Sequence, residues 1–302
     1  GKFERALMDA SRMTAFLSLP AAAGIAVTAL PVAVFLFWGG KLALAPEAMP
    51  RLVWAVVFFS PGIVFYSMAS VLSRAYYARN DVRTPAIFAA VAAVVNVILD
   101  VVFVIVFERR LGGGEGGLAF ASTLSGLLLM LLLIWGLSPS GLRKGVPLRL
   151  AAGVALAALA TLAFWKQILP WICASAGIED DAALAGMALS IGTAVLLAAC
   201  FPVLESRLLA AQNVRPRSFG ALVRISLAAI PTAAFAFLVA NSIPPERYGF
   251  WVPLERAAAP VVLGVFAYWL LIGIFGVGEY DELKAALRRK QRADSSGPAR
   301  TG

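Results

Sequence analysis

Of 302 residues, 61% are hydrophobic and 14% are charged, where a soluble domain carries roughly 45–50% and about 25%. Lys and Arg outnumber Asp and Glu by 26 to 17, for a net charge of +9, and histidine is absent. These figures exclude a soluble globular domain, imidazole proton relays and His-ligated metals, and they leave a polytopic membrane protein.

The chain opens on Gly1, without an initiator Met, and enters its first apolar stretch through a charged amphipathic lead of Lys2, Glu4, Arg5, Asp9 and Arg12. There is no short apolar run with a small-residue cleavage site, so we expect no signal peptide and a preceding portion of the protein. Stretches of bilayer length fall at 14–37, 52–73, 85–107, 117–136, 149–169, 183–204, 220–243 and 255–277. The predicted fold is all-α, a polytopic membrane bundle of about eight transmembrane helices with short antiparallel connections. Prolines interrupt several spans: Pro20 and Pro31 in the first, Pro61 in the second, then Pro202, Pro231 and Pro260. Each would kink or loosen its helix. Such breaks serve rocking motions in transporters, or are ordinary membrane-helix prolines repaired by neighbours.

Lys and Arg set the orientation. Most cluster on the side of the N-terminus, leaving Lys41, Arg51, Arg109, Arg110, Lys166, Arg247 and Arg256 for the other. Both termini are therefore expected in the cytoplasm, with the basic excess facing anionic headgroups rather than nucleic acid. The last four spans resemble two copies of a helix pair, one opening at Arg149 and the next at Arg224, although Ala/Leu-rich helices also look alike by composition. We divide the chain into four spans over 1–140, an additional helix pair over 141–218, a terminal pair over 219–290 and a disordered cytoplasmic tail over 291–302. Cys173 and Cys200 fall on opposite sides of a predicted span and imply neither a disulfide nor a metal site.

The most informative polar residues are Asn96 and Asp100, four apart within the apolar stretch Val91–Phe107. On a helix they stack on one face. An aspartate near the bilayer centre costs about 2.5–3.5 kcal/mol on insertion scales, so a cation, a proton or a polar partner should compensate it. An amide and a carboxylate are hard oxygen ligands suited to a small alkali cation, but two are too few. The fourth span offers Ser122 and Thr123 within a run of small residues. The alternative is a structural clamp, with a protonated Asp100 bonded to Ser122 or Thr123.

The loop from Ser73 to Pro85 is basic and aromatic, with Arg74, Tyr76, Tyr77, Arg79, Asp81 and Arg83, and Pro85 restarts a helix. Positive-inside anchoring accounts for this composition, and Arg74 and Arg79 are also candidates for phosphate binding. No nucleophile–base pair, metal-ligand cluster or phosphate loop is evident, so a transporter or a scaffold is expected, not an enzyme.

The run Ser70-Val71-Leu72-Ser73-Arg74-Ala75-Tyr76-Tyr77-Ala78-Arg79-Asn80-Asp81-Val82-Arg83-Thr84-Pro85 resembles the MviN/MurJ family between its tenth and eleventh helices. Leu19-Pro20-Ala21-Ala22-Ala23-Gly24-Ile25 is similar to that family's ninth helix, and Asn96-Val97-Ile98-Leu99-Asp100 and Gly117-Leu118-Ala119-Phe120-Ala121-Ser122 to its eleventh and twelfth. The resemblance is continuous over 1–140 and returns weakly over 219–290. It implies an exporter-type fold of two six-helix lobes around a cavity, with a terminal helix pair forming a groove. It also implies flipping of lipid-linked peptidoglycan precursor (lipid II) across the bacterial cytoplasmic membrane by alternating access. A sodium site implied by the same resemblance would use Asn96, Asp100, the Leu118 carbonyl and the Ser122 hydroxyl, with Na+ as the coupling ion and no other cofactor. The family's first lobe and its seventh and eighth helices have no counterpart in these residues. Partners expected on this basis are a lipid-linked substrate, membrane lipids and a first lobe from the same gene or a separate chain. Alternatives are flipping of another polyprenyl-linked oligosaccharide, or a non-transporting membrane scaffold derived from a flippase.

Overall fold

The computed structural model describes residues 2–37, 48–111, 114–137, 191–193, 196–197, 218–242, 251–276 and 284. They form α1 (Lys2–Val27), α2 (Ala29–Leu36), α3 (Ala48–Tyr77), α4 (Arg83–Leu111), α5 (Gly114–Leu137), α6 (Ser218–Ser242) and α7 (Trp251–Phe275). Among the described residues five stretches are long and apolar enough to cross a membrane: Arg5–Val27, Ala48–Tyr77, Arg83–Ile105, Glu115–Leu137 and Leu254–Phe275, with a shorter one at Val223–Ala236. The fold is that of a polytopic helical membrane bundle. The span expected at 149–169, almost all of that at 183–204, both cysteines and the 291–302 tail lie outside the described residues.

The helices pack in the spatial order α4, α5, α3, α1, α6, α7, and α7 returns to touch α2. Helix association in lipid rests on close packing and interhelical hydrogen bonds, because lipid tails are as apolar as leucine. The main core accordingly runs through α1, α3, α5 and α6, with Met8, Phe16, Met68, Leu72, Met130 and Ile225 wholly buried. Alanines line the α1–α6 approach, with Ala22, Ala26, Ala228 and Ala229 buried. A smaller cluster packs Ala29 and Ala33 of α2 on Val53 and Val57 of α3.

The first predicted span differs from expectation at both ends. Its amphipathic lead is part of α1, because Leu7, Met8 and Ser11 turn into the core. The span then breaks at Thr28, whose N–H and Oγ1 both donate to the Gly24 carbonyl at 2.9 and 2.7 Å.

Two prolines inside helices are repaired. Pro61 has no N–H to offer the Val57 carbonyl, and the Ser60 hydroxyl donates to that oxygen at 2.9 Å. Pro20 likewise strands the Phe16 carbonyl, which accepts the Tyr268 hydroxyl of α7 at 2.7 Å. The Phe16 and Tyr268 rings lie 5.7 Å apart beside this bond. Near it, a groove of about 500 Å³ opens between α1, α2, α3, α6 and α7, lined by Pro20, Thr28, Val56, Thr232, Gly264 and Tyr268 among mostly apolar neighbours.

Candidate functional site

Helices α4 and α5 run antiparallel and are fixed to each other at two heights. Gly117 sits so close to α4 that a Cβ there would lie 2.6 Å from the Phe103 carbonyl oxygen. Eight residues on, the Ser125 hydroxyl donates to the Ala92 carbonyl at 2.9 Å. Between these heights the run brings Asn96 level with Ser122, and Asp100 level with the turn holding Leu118 and Ala119.

The α4 stripe facing α5 contains Pro85, Phe88, Ala92, Asn96, Leu99 and Phe103, whereas Val94, Val97, Ile98 and Val101 on the opposite face are exposed. Asn96 and Asp100 occupy one shoulder of that stripe. For two right-handed helices running antiparallel, this shoulder turns to the flank of α5 that carries Leu118 and Ser122. All four residues suggested by the family resemblance therefore share one flank. Asn96 Nδ2 and Asp100 Oδ1 are shielded there and have no hydrogen-bond partner among the described residues. Thr123, the alternative partner for Asp100, donates instead to the Phe58 carbonyl of α3 at 2.7 Å.

On its other side α5 runs parallel to α3 and is tightly keyed to it. Gly62 leaves room for Thr123, and Gly126 leaves room for the Tyr66 ring, where a Cβ would meet Cε2 at 2.9 Å. The Tyr66 hydroxyl donates to the Ser122 carbonyl at 3.1 Å, and the Tyr76 hydroxyl to the Leu133 carbonyl at 2.8 Å. Sequence reasoning missed Tyr66, because a tyrosine in an apolar span reads as an interfacial anchor. The available signal was Gly126, a notch of the size an aromatic ring needs.

The structure does not bring Arg74 and Arg79 to this flank. Arg74 is exposed in the last turn of α3, and the Arg79 guanidinium sits 5.2 Å above the Phe3 ring of α1. Asn96 lies thirteen residues beyond the α4 start at Arg83, about 20 Å along the axis. The connecting turn is well defined: Asn80 takes a left-handed φ of 58°, and Asp81 Oδ1 accepts the Thr84 N–H at 3.0 Å, capping α4. That backbone bond, followed by one from the Thr84 side chain, holds the Asp81 carboxyl below the usual aspartate range. Among the described residues no three His, Cys, Asp or Glu side chains gather as a metal cluster. Asp100 Oδ1 is a shielded oxygen of the hard type that fits an alkali cation.

Residues 1–179 match the protein family described as lipid II flippase MurJ. Among curated relatives, the probable lipid II flippase MurJ of Vibrio cholerae serotype O1 is 32% identical over 62% of this chain and 35% of its own length. The lipid II flippase MurJ of Thermosipho africanus is 26% identical over 44% of this chain and 26% of its own length. The probable lipid II flippase MurJ of Haemophilus influenzae is 33% identical over 42% and 23%. The chain thus spans about a third or less of the length of these relatives. No solved structure matches it.

Proposed function

The chain belongs to the lipid II flippase MurJ family, and on that premise we propose that it is the C-terminal part of a flippase for lipid-linked peptidoglycan precursor. It works by alternating access in the bacterial inner membrane with both termini cytoplasmic, and a first lobe completes the central cavity. Transport is coupled to a cation, with Na+ as the candidate. Asp100 and Asn96 would hold that ion with the Leu118 carbonyl and the Ser122 hydroxyl, and its charge would offset the carboxylate in the apolar span. The observation that carries the coupling is the orphaned Asp100 Oδ1, level with the turn of α5 that holds Leu118. An uncompensated buried acceptor costs about 1–3 kcal/mol, which a cation at Asp100 Oδ1 would offset. The groove of about 500 Å³ beside α7 suits the prenyl tail of such a substrate, and Arg74 and Arg79 are available to headgroup phosphates at the cytoplasmic end.

Complementation tests the substrate. The gene encoding this chain should restore growth to a strain depleted of its lipid II flippase, and failure despite normal membrane expression would point to another polyprenyl-linked oligosaccharide. Asp100→Asn tests the coupling: transport and sodium-dependent thermal stability that survive it would overturn the cation site and favour a structural clamp, whereas a parent protein without transport would favour a scaffold.

A further inference from the structure

We propose that Tyr66 is a positioning residue for the polar flank, setting the place of Ser122 through the α5 backbone without touching the ion. This rests on the cation reading above. A helical carbonyl ordinarily accepts one N–H from four residues on. The Ser122 carbonyl also accepts the Tyr66 hydroxyl at 3.1 Å, which occupies its second lone pair. That has two consequences. Ser122 can offer the flank only its hydroxyl, and the height of that hydroxyl is tied to α3 as well as to α5. The Tyr66 ring is itself held, because its edge fills the notch at Gly126 one turn further along.

Position on the helix separates this contact from ordinary packing. Thr123 turns to α3 and Ser125 to α4, each through its own hydroxyl. Ser122 falls on the flank between those directions, where Tyr66 remains 39% exposed. The Tyr66 hydroxyl therefore reaches past the α3–α5 seam onto the flank that Asn96 and Asp100 share. The two walls of the flank differ: the α4 wall supplies oxygens, and the α3 wall supplies a donor that fixes the floor between them.

The experiment compares Tyr66→Phe, Thr123→Val and Asp100→Asn in the protein as its gene encodes it, purified into nanodiscs. Melting temperature is followed against NaCl, with choline chloride holding ionic strength constant. Tyr66→Phe keeps the ring and loses only the donor. It should raise the half-saturating sodium concentration about five-fold, the change one hydrogen bond of ordinary strength carries, with little shift in sodium-free melting. Thr123→Val removes a shorter, more buried α3–α5 bond that does not involve the Ser122 carbonyl. It should lower sodium-free melting and leave half-saturation in place. If Asp100→Asn abolishes the sodium response and Tyr66→Phe leaves half-saturation at the parent value, the positioning role is overturned and the cation site stands. A sodium response retained by Asp100→Asn overturns both. Should Tyr66→Phe fail to fold, Gly126→Ala, which pushes the ring from its notch, must produce the same rise in half-saturation or the proposal falls.

Discussion

Helix α5 has two sides, and they are built on opposite rules. Toward α3 polar groups are matched: Thr123 reaches the Phe58 carbonyl, Tyr66 reaches the Ser122 carbonyl, Tyr76 reaches the Leu133 carbonyl, and glycines receive the larger side chains. Toward α4 the approach is just as close at Gly117 and Ser125, yet Asn96 Nδ2 and Asp100 Oδ1 between those points are shielded and unmatched. Orphaned hydroxyls also occur in α1, at Ser11 and Ser18, but a hydroxyl is far cheaper to shield than a carboxylate. A saturated seam fixes helices in place. An unsaturated one leaves buried polar atoms whose partner must come from elsewhere.

Four substitutions break or sharpen this contrast. Gly117→Val should have the largest effect: its side chain would collide with the Phe103 carbonyl, forcing α4 from α5 at a cost of about 3 kcal/mol, read as a lowered denaturation midpoint in detergent. Asp100→Asn should leave sodium-free stability equal or higher while removing the gain from sodium. That gain is about 2.7 kcal/mol at a hundred times the dissociation constant, and calorimetry with and without NaCl measures it. Tyr268→Phe acts on a matched contact far from the flank. It strands the Phe16 carbonyl and should cost about 1 kcal/mol in thermal unfolding, independent of sodium. Asp81→Ala should have the smallest effect, and that effect depends on pH. The Asp81 carboxyl is held below its ordinary value of 3.8, so its contribution is present above that value and is lost as pH falls through the lower folded-state value. Parent and Asp81→Ala melting temperatures should differ near neutrality and converge in acid.

Much of this was legible in the chain because the bilayer imposes length and apolarity directly. The spans at 52–73, 85–107 and 117–136 lie within α3, α4 and α5, each helix extending a few residues beyond. The start of α1 was not, because its charged lead also carries the apolar face of Leu7 and Met8 that continues the helix. Asn96 and Asp100 stood out in sequence because any polar residue in such a run demands an explanation. Their level with Ser122 follows from Gly117 and Ser125, which composition ranks as mere small residues. Tyr66 and Tyr268 were hidden for a different reason. Each donates to a backbone carbonyl on another helix, and main-chain oxygens carry no mark in a sequence.

The repair of Pro20 has a consequence for assembly. The donor that completes the Phe16 carbonyl lies 252 residues later. A chain inserted span by span would carry α1 into the hydrocarbon with that oxygen unpaired, at a cost of several kcal/mol in lipid, until α7 arrived to close it. Of these two helices, α1 would enter the membrane first yet reach its final shape only once α7 had docked.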